Sequence, residues 1–406
     1  MKLAATTTDH LTVHTAPVAD PGDLVAHLPG PQALAWIRHG QGIIGWGEAA
    51  RITLPGGTDR FTTADRLLRD LFAGADVHDP LRLPGTGPVA FGTFGFTPDS
   101  PGTTLIVPRR VLGRRDGTAW ITTIGDDPGP LDLLRPPAPP GPLTWTDGAH
   151  TAATWQDAVA TAVTRIRAGH LGKVVLARDL HATATAPIDP RVLLRRLADR
   201  FPGCYTFACD GLVGATPELL VRRTGGTVES LVLAGTAPAG DPDRARALRT
   251  SAKDHHEHAY AIEMVRQALT PLCDDLHIPA APEILTLPNV LHLASPVRGH
   301  LAAHHSVLDV VAALHPTPAV GGTPTPTALD LIADLENMDR GRYAAPVGWI
   351  DARGDGEWGI ALRCAELDGD RARLFAGCGI VADSRPADEL AEAHNKFRAM
   401  RYALEG

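Results

Sequence analysis

Glu389, Glu392 and Lys396 stand at i, i+3 and i+7 and so share one face of any helix that carries them. Two carboxylates on one face suit a hard divalent cation, although a solvated face with an ordinary Glu392–Lys396 pair fits the same spacing. Just upstream, Phe375-Ala-Gly-Cys-Gly-Ile-Val381 reads as a strand running into small residues. Gly377 and Gly379 there let backbone N–H groups approach a ligand. A further acidic candidate, Glu257, lies in Ser251-Ala-Lys-Asp-His-His-Glu-His258. The histidines invite zinc, but an H-E-x-x-H site needs histidine at 260, which is Tyr260. Oxygen ligands from two helices suit Mg2+, which takes a few carboxylates, waters and substrate oxygens.

Alternation along Glu357–Ala365 sets Arg363 with Gly359, Ala361 and Ala365 on one strand face, opposite Trp358, Ile360, Leu362 and Cys364. A guanidinium above small residues has room for a carboxylate, and a salt-bridged strand arginine fits the pattern equally. Lys173 opens an apolar strand, and Glu218 follows Pro217. Singly, each reads as an exposed strand end; together they read as base and acid. Burial lowers a lysine's pKa and raises a carboxyl's, so one accepts and the other donates a proton near neutrality. Lysine is scarce here: Lys2, Lys173, Lys253 and Lys396 are the only four among 38 basic side chains. Unlike arginine, lysine sheds its proton when buried. Arg353-Gly-Asp355 reads as the turn before a strand. Gly85-Thr-Gly-Pro-Val-Ala90 lacks the third glycine of a dinucleotide loop.

These groups need elements to position them. Helices are expected at Thr63–Phe72, Trp155–Arg167, Arg191–Asp199 (after Asp189 as N-cap and Pro190) and Asp254–Leu272. The last of these buries Ile262, Val265, Leu269 and Leu272. A final helix from Pro386 buries Leu390, Ala393, Phe397, Met400 and Leu404. Strands are expected at Ala33–Ile37, Gly42–Trp46, Thr104–Val107, Ala119–Thr123 and Lys173–Arg178, with Glu218–Arg223 paired to Val228–Leu233. Glu357–Leu367 and Arg371–Val381 form a hairpin around Asp368-Gly369. Long hairpin strands with separate helices predict an α+β fold: a single large unit with big antiparallel sheets flanked by helices. The Pro-dense stretch Arg135–Pro142 divides an N-terminal part (1–134), a linker (135–149) and a catalytic core (150–406).

Composition bounds the function. The chain has 406 residues, 44% of them hydrophobic and 21% charged, and a net charge of -8. That excludes a disordered chain, a fibre and a coiled coil. It argues against nucleic-acid and anionic-membrane partners, but not against an anionic substrate. No run of about 18 apolar residues predicts a transmembrane helix, and the start lacks an apolar signal-peptide core. Five scattered cysteines without a C-x-x-C pair fit packed thiols in a reducing cytoplasm.

Taken together, Leu314-His-Pro-Thr-Pro-Ala-Val-Gly-Gly322, Tyr343-Ala-Ala-Pro-Val-Gly-Trp349 and Ala376-Gly-Cys-Gly-Ile-Val381 resemble the chorismate-utilising enzymes, most closely the isochorismate synthases of that group. Residues 150–406 resemble them strongly, and the N-terminal part more loosely. The resemblance implies Lys173 as the general base that activates water and Glu218 as the general acid. It implies Glu257, Glu389 and Glu392 as Mg2+ ligands. Gly235, Thr236, His292, Ala319, Arg363, Gly377 and Lys396 would meet the substrate. The implied reaction is Mg2+-dependent: water attacks C2 of chorismate and the C4 hydroxyl leaves, giving isochorismate. A lysine at 173 favours water over ammonia, so no glutamine amidotransferase partner is expected; a monomer is one arrangement left open. Salicylate synthase, which adds pyruvate elimination, and a chorismate-binding protein without turnover are the alternatives. Four positions depart from the usual pattern: His255 for Arg, Val232 for Pro, Ala345 for Gly and Cys378 for Ala.

Overall fold

A computed structural model describes residues 11–125, 136–238, 242–286, 290–302 and 304–406, apart from the side chains of Thr236, Pro238, Pro242, Lys253, Glu257 and Val290. Two large sheets pack face to face and helices cover their outer faces. The thirteen-stranded sheet runs Leu143–Asp147, Lys173–Ala184, Arg371–Ile380, Cys364–Asp368, Leu212–Thr216, Tyr205–Cys209, Leu34–Arg38, Gln41–Trp46, Arg110–Arg115, Thr118–Ile124, Thr12–Val18 and Asp76–His78; Gly322–Thr323 also pairs with Lys173–Ala184. The ten-stranded sheet runs Cys273–His277, Val290–Leu301, Thr227–Pro238, Leu219–Thr224, Gly356–Ile360, Pro346–Asp351, Val89–Thr93, Thr103–Val107 and Ala50–Leu54; Glu283–Thr286 also pairs with Val290–Leu301. Every described pairing is antiparallel except that of Thr12–Val18 with Asp76–His78. Strands from before and after the Pro-rich stretch share both sheets, and residues 136–142 carry no regular structure. The fold is α+β with large antiparallel sheets, as the hairpin pattern predicts.

The helices are α1 (Arg60–Ala73), α2 (Ala152–Arg167), α3 (Pro190–Arg200), α4 (Pro242–Thr250), α5 (Ala252–Leu269), α6 (Val307–Leu314), α7 (Thr325–Glu336) and α8 (Pro386–Glu405). Helices α2, α3, α7 and α8 pack on the thirteen-stranded sheet, where Trp155, Leu193, Leu197, Phe397 and Met400 are buried against Leu374 and Cys378. The inter-sheet core holds Trp36, Phe207 and Phe375 from one sheet and Val221, Val347 and Trp358 from the other. Among the described residues, no helix is long and apolar enough to cross a membrane.

Helix α5 ends at Leu269; Leu272 lies just past it and packs half-buried against the core, as does Ile262. Leu390 is likewise half-buried on α8, packed against the core under the thirteen-stranded sheet. Arg353-Gly-Asp355 is a turn, as expected. It is tied down by Arg223 to Asp355 (2.7 Å) and Arg353 to Asp351 (2.7 Å).

The largest difference from the sequence pattern lies at Glu357–Leu367. This is not one strand. Gly356–Ile360 belongs to the ten-stranded sheet and Cys364–Asp368 to the other; Ala361–Arg363 carries the chain between them. A partner ribbon makes the reverse crossing: Leu212–Thr216 pairs with Cys364–Asp368, and Leu219–Thr224 pairs with Gly356–Ile360. Two strands therefore bend together from sheet to sheet. The bend is held by Ala215 N–H to the Arg363 carbonyl (3.1 Å) and Ile360 N–H to the Glu218 carbonyl (3.1 Å). Arg363 takes φ +48°, a left-handed backbone conformation that breaks the alternation. Glycine is required on both sides of the bend. A Cβ on Gly214 would stand 2.8 Å from the Arg363 carbonyl oxygen, and one on Gly359 would stand 2.8 Å from that of Glu218.

Candidate active site

Lys173 begins the strand Lys173–Ala184, bracketed by Gly322–Thr323 on one side and Arg371–Ile380 on the other. Between Val175 and Ala177 the edge of this strand is satisfied mainly by side chains. Arg340 donates to the Val175 carbonyl (2.8 Å), Ala177 N–H donates to Glu336 (2.6 Å), and Trp155 Nε1 donates to the Ala177 carbonyl (3.1 Å). Arg340 and Glu336 are a fully buried ion pair (2% and 1% exposed). Arg340 also donates to the Val320 carbonyl (2.8 Å), beside Ala319. Each buried charge thus has hydrogen-bond partners, without which the pair would be destabilising. This lattice fixes the backbone from which the Lys173 side chain projects.

Glu218 sits at the ribbon bend, before the strand Leu219–Thr224 and not inside it. Burial raises its carboxyl pKa, opposed by the positive charges of Arg363, Lys173 and Lys396. Three cations from three separated segments thus act on one carboxyl. His292, on Val290–Leu301, has its pKa lowered by burial and by Arg363, with Lys396 adding to the effect; a hydrogen bond to the Gly235 backbone opposes this. Gly235 stands at a bulge between Ala234 and Thr236, with φ +80°, where the pairing with His292 is taken up again by Thr236. Ala319 is exposed and lines, with Glu218, Leu233, Met264, Thr317 and Pro318, a mainly apolar cleft between α5 and the ten-stranded sheet.

On α8 the expected face forms. Lys396 Nζ pairs with Glu392 (2.6 Å) and donates to the Gly377 carbonyl (2.7 Å). Glu389 accepts from the Ser384 hydroxyl (2.6 Å). Burial raises the Glu389 pKa, and the neighbouring Glu392 adds to this. Glu389, Glu392 and Cys378 each offer a donor atom, and all three atoms lie within 4.8 Å of one another. The Cys378 thiol already donates to the Glu389 carbonyl (3.3 Å), which leaves two carboxylates as a hard-oxygen pair of the kind that fits Mg2+. Glu257 lies on α5, and its side chain, like those of Thr236 and Lys253, is outside the described residues.

Of the expected site residues, scattered over more than 220 positions, Glu218 and Ala319 line this cleft, and Lys173, Gly235, His292, Arg363, Gly377, Glu389, Glu392 and Lys396 are linked to Glu218 or to one another by the contacts and charge interactions given above. Of the three described histidine rings around Glu257, His255 bonds the Arg249 carbonyl (2.8 Å), His258 is buried between the Ala234 carbonyl (3.1 Å) and Ser295 (2.8 Å), and His256 is exposed. One buried residue beside Gly377 went unremarked in the residue pattern. Tyr343 is 4% exposed and stacks on Phe375, and its hydroxyl lies 3.0 Å from where a Cβ on Gly377 would be. Burial raises its pKa, so the phenol stays protonated and able to donate. Its place in the Tyr343–Trp349 motif was the available signal.

The chorismate binding enzyme family matches residues 136–405. A MenF protein of Mycobacterium tuberculosis is 43% identical over 343 residues, 79% of this chain and 87% of that one. The isochorismate synthase DhbC of Bacillus subtilis is 43% identical over 267 residues, 62% of this chain and 67% of that one. The crystal structure of Bacillus anthracis DhbC superposes with a TM-score of 0.77 and 32% identity, covering 94% of this chain and 98% of that chain. From the match over its C-terminal two thirds and the arrangement of its cleft, the chain belongs to the chorismate binding enzyme family.

Proposed function

We propose that this protein is an isochorismate synthase, an isomerase that moves a hydroxyl group on the chorismate ring. One observation carries the reading: a carboxyl whose pKa burial raises (Glu218), at the bend between the two sheets, and a lysine that opens a strand of the thirteen-stranded sheet (Lys173) lie within electrostatic reach of each other, with Arg363 and Lys396 acting on the same carboxyl. Arg363 and Lys396 offset the charge of a dianionic substrate inside a protein whose net charge is -8. Arg363, placed by the bend and backed by Gly377 and the Tyr343 hydroxyl, binds a substrate carboxylate. His292, neutral because its pKa is lowered, faces the ring from the Gly235–Thr236 bulge.

Glu389 and Glu392, with Glu257 as the further expected ligand, would hold Mg2+, and the ion when bound would supply positive charge to offset a substrate carboxylate. Lys173 in its neutral form takes a proton from the water that attacks C2. The ring double bonds shift, and the C4 hydroxyl leaves with the proton that Glu218 donates. One water enters and one leaves, so substrate and product are isomers. Water as nucleophile needs no ammonia-supplying partner.

The test is incubation with chorismate and Mg2+ followed by chromatography. Isochorismate as sole product is expected. Unchanged chorismate would overturn the assignment, and salicylate with pyruvate would replace it with the lyase. Lys173→Ala is expected to abolish turnover while calorimetry still detects substrate binding; normal turnover would remove Lys173 as the base.

A further inference from the structure

We propose that Gly379 is a positioning residue for Lys173: its missing side chain leaves the groove in which the lysine chain lies. Gly379 pairs with Val175 on the strand that Lys173 opens. A Cβ on Gly379 would stand 2.8 Å from Lys173 Cε and 3.4 Å from Nζ, with no other atom within 4 Å outside its chain neighbours. Packed carbon atoms prefer about 3.5–4.0 Å, so a methyl group here displaces the lysine chain. The backbone of Gly379 lies outside the left-handed region, so alanine is conformationally allowed.

Nearby glycines serve different needs. A Cβ on Gly322 would overlap the Lys173 carbonyl oxygen, so that glycine admits backbone. A Cβ on Gly377 would meet the Tyr343 hydroxyl at 3.0 Å and the Leu176 carbonyl oxygen at 3.2 Å. Of these three, only Gly379 places the whole steric burden on the flexible end of Lys173. The sequence pattern suggests a backbone approach to ligand for both Gly377 and Gly379. The contacts give Gly379 a different role, in which it lets an ammonium group carried by one strand lie across its neighbour.

The inference rests on the reading of Lys173 as the base, and the experiment separates the two. Gly379→Ala, Gly379→Ser and Lys173→Ala are compared with the parent by steady-state kinetics, thermal melting and acetic anhydride labelling of Lys173 followed by peptide mass spectrometry. Gly379→Ala is expected to lower kcat ten- to about a hundredfold, the scale of a 1 Å misplacement of a catalytic group. The KM for chorismate stays within about twofold and the melting temperature within about 2 °C, on the order of what 1 kcal/mol or less produces in a large protein. Gly379→Ser loses more, and Lys173 labels faster in both variants. A merely structural glycine would instead lower the melting temperature. Parent-like kcat in Gly379→Ala beside an inactive Lys173→Ala overturns the inference and leaves the base in place. Unfolding of Gly379→Ala, or unchanged labelling of Lys173, overturns it as well. Full turnover by Lys173→Ala overturns the reading on which it rests.

Discussion

The first turns of α8 and the bent ribbon both deliver carboxylates to the cleft, and they do so under opposite conditions. On α8, Glu392 keeps 53% of its side-chain surface exposed and pairs with Lys396 one turn away. A hydrated cation can reach such a group and exchange. At the bend, Glu218 is half-buried in the cleft wall, where burial favours its protonated form against three nearby cations. A shift in that direction is the one a proton-donating carboxyl needs. Under the proposed mechanism the open carboxylate is the metal ligand and the more buried one the proton donor, so the same functional group would do two jobs.

The contrast is broken most severely at the bend. Glu218→Gln is expected to lower kcat by about 10²–10⁴-fold, the usual contribution of a positioned acid. The sign of its pH dependence follows from the raised pKa. The parent's kcat falls as pH climbs through that pKa, because the ionised carboxyl cannot donate; a pH–rate profile of Glu218→Gln should lack this limb. The same shift acts on stability. A carboxyl with raised folded-state pKa loses its stabilising contribution as pH rises, so Glu218→Gln should melt above the parent at pH 8, with the gap closing below about pH 4. Full activity in this variant would leave the bend without a chemical role.

Arg363→Ala tests the other half of the bend. Loss of a hydrogen-bonded charge contact is worth about 1.5–3 kcal/mol, so KM for chorismate should rise ten- to about a hundredfold. An unchanged KM would return Arg363 to a structural part. On α8, Glu392→Gln should weaken the Mg2+ dependence of activity and of the melting temperature by about tenfold, on the same scale. EDTA should stop turnover, and indifference to both would sever α8 from the metal. The smallest effect is expected at Cys378→Ala: activity within about twofold and a stability loss of about 1 kcal/mol, since the buried thiol gives up one weak hydrogen bond. A large loss of Mg2+ affinity there would make the thiol a working part of the metal face.

How much was legible differs between the same two regions. The face of α8 could be written down from residue spacing, because helical periodicity is local: Glu389, Glu392 and Lys396 face together wherever that helix packs. The strand pair expected at Glu218–Arg223 and Val228–Leu233 around Thr224-Gly-Gly226 was similarly clear, although the second strand runs on to Pro238 and Glu218 lies just before the first. The bend was not. Glu357–Leu367 alternates well enough to pass for one strand, and nothing in those residues reveals that the chain changes sheets at Ala361–Arg363. The crossing depends on Gly214 and Gly359, far apart in sequence, giving room to carbonyls of Arg363 and Glu218. Tyr343 was missed for a similar reason: only packing reveals its hydroxyl beside Gly377.

By itself, the sequence determined which chemical groups are available, the α+β class, and the faces of individual helices and strands, because each follows from local geometry and residue type. Tertiary structure decided that Lys173 and Glu218 come within electrostatic reach of each other, that the chain changes sheets at Arg363 in a left-handed conformation, and that a missing side chain at 379 leaves room for the lysine. Those outcomes depend on register and close approach between segments far apart along the chain, and no local propensity encodes a distance of that kind.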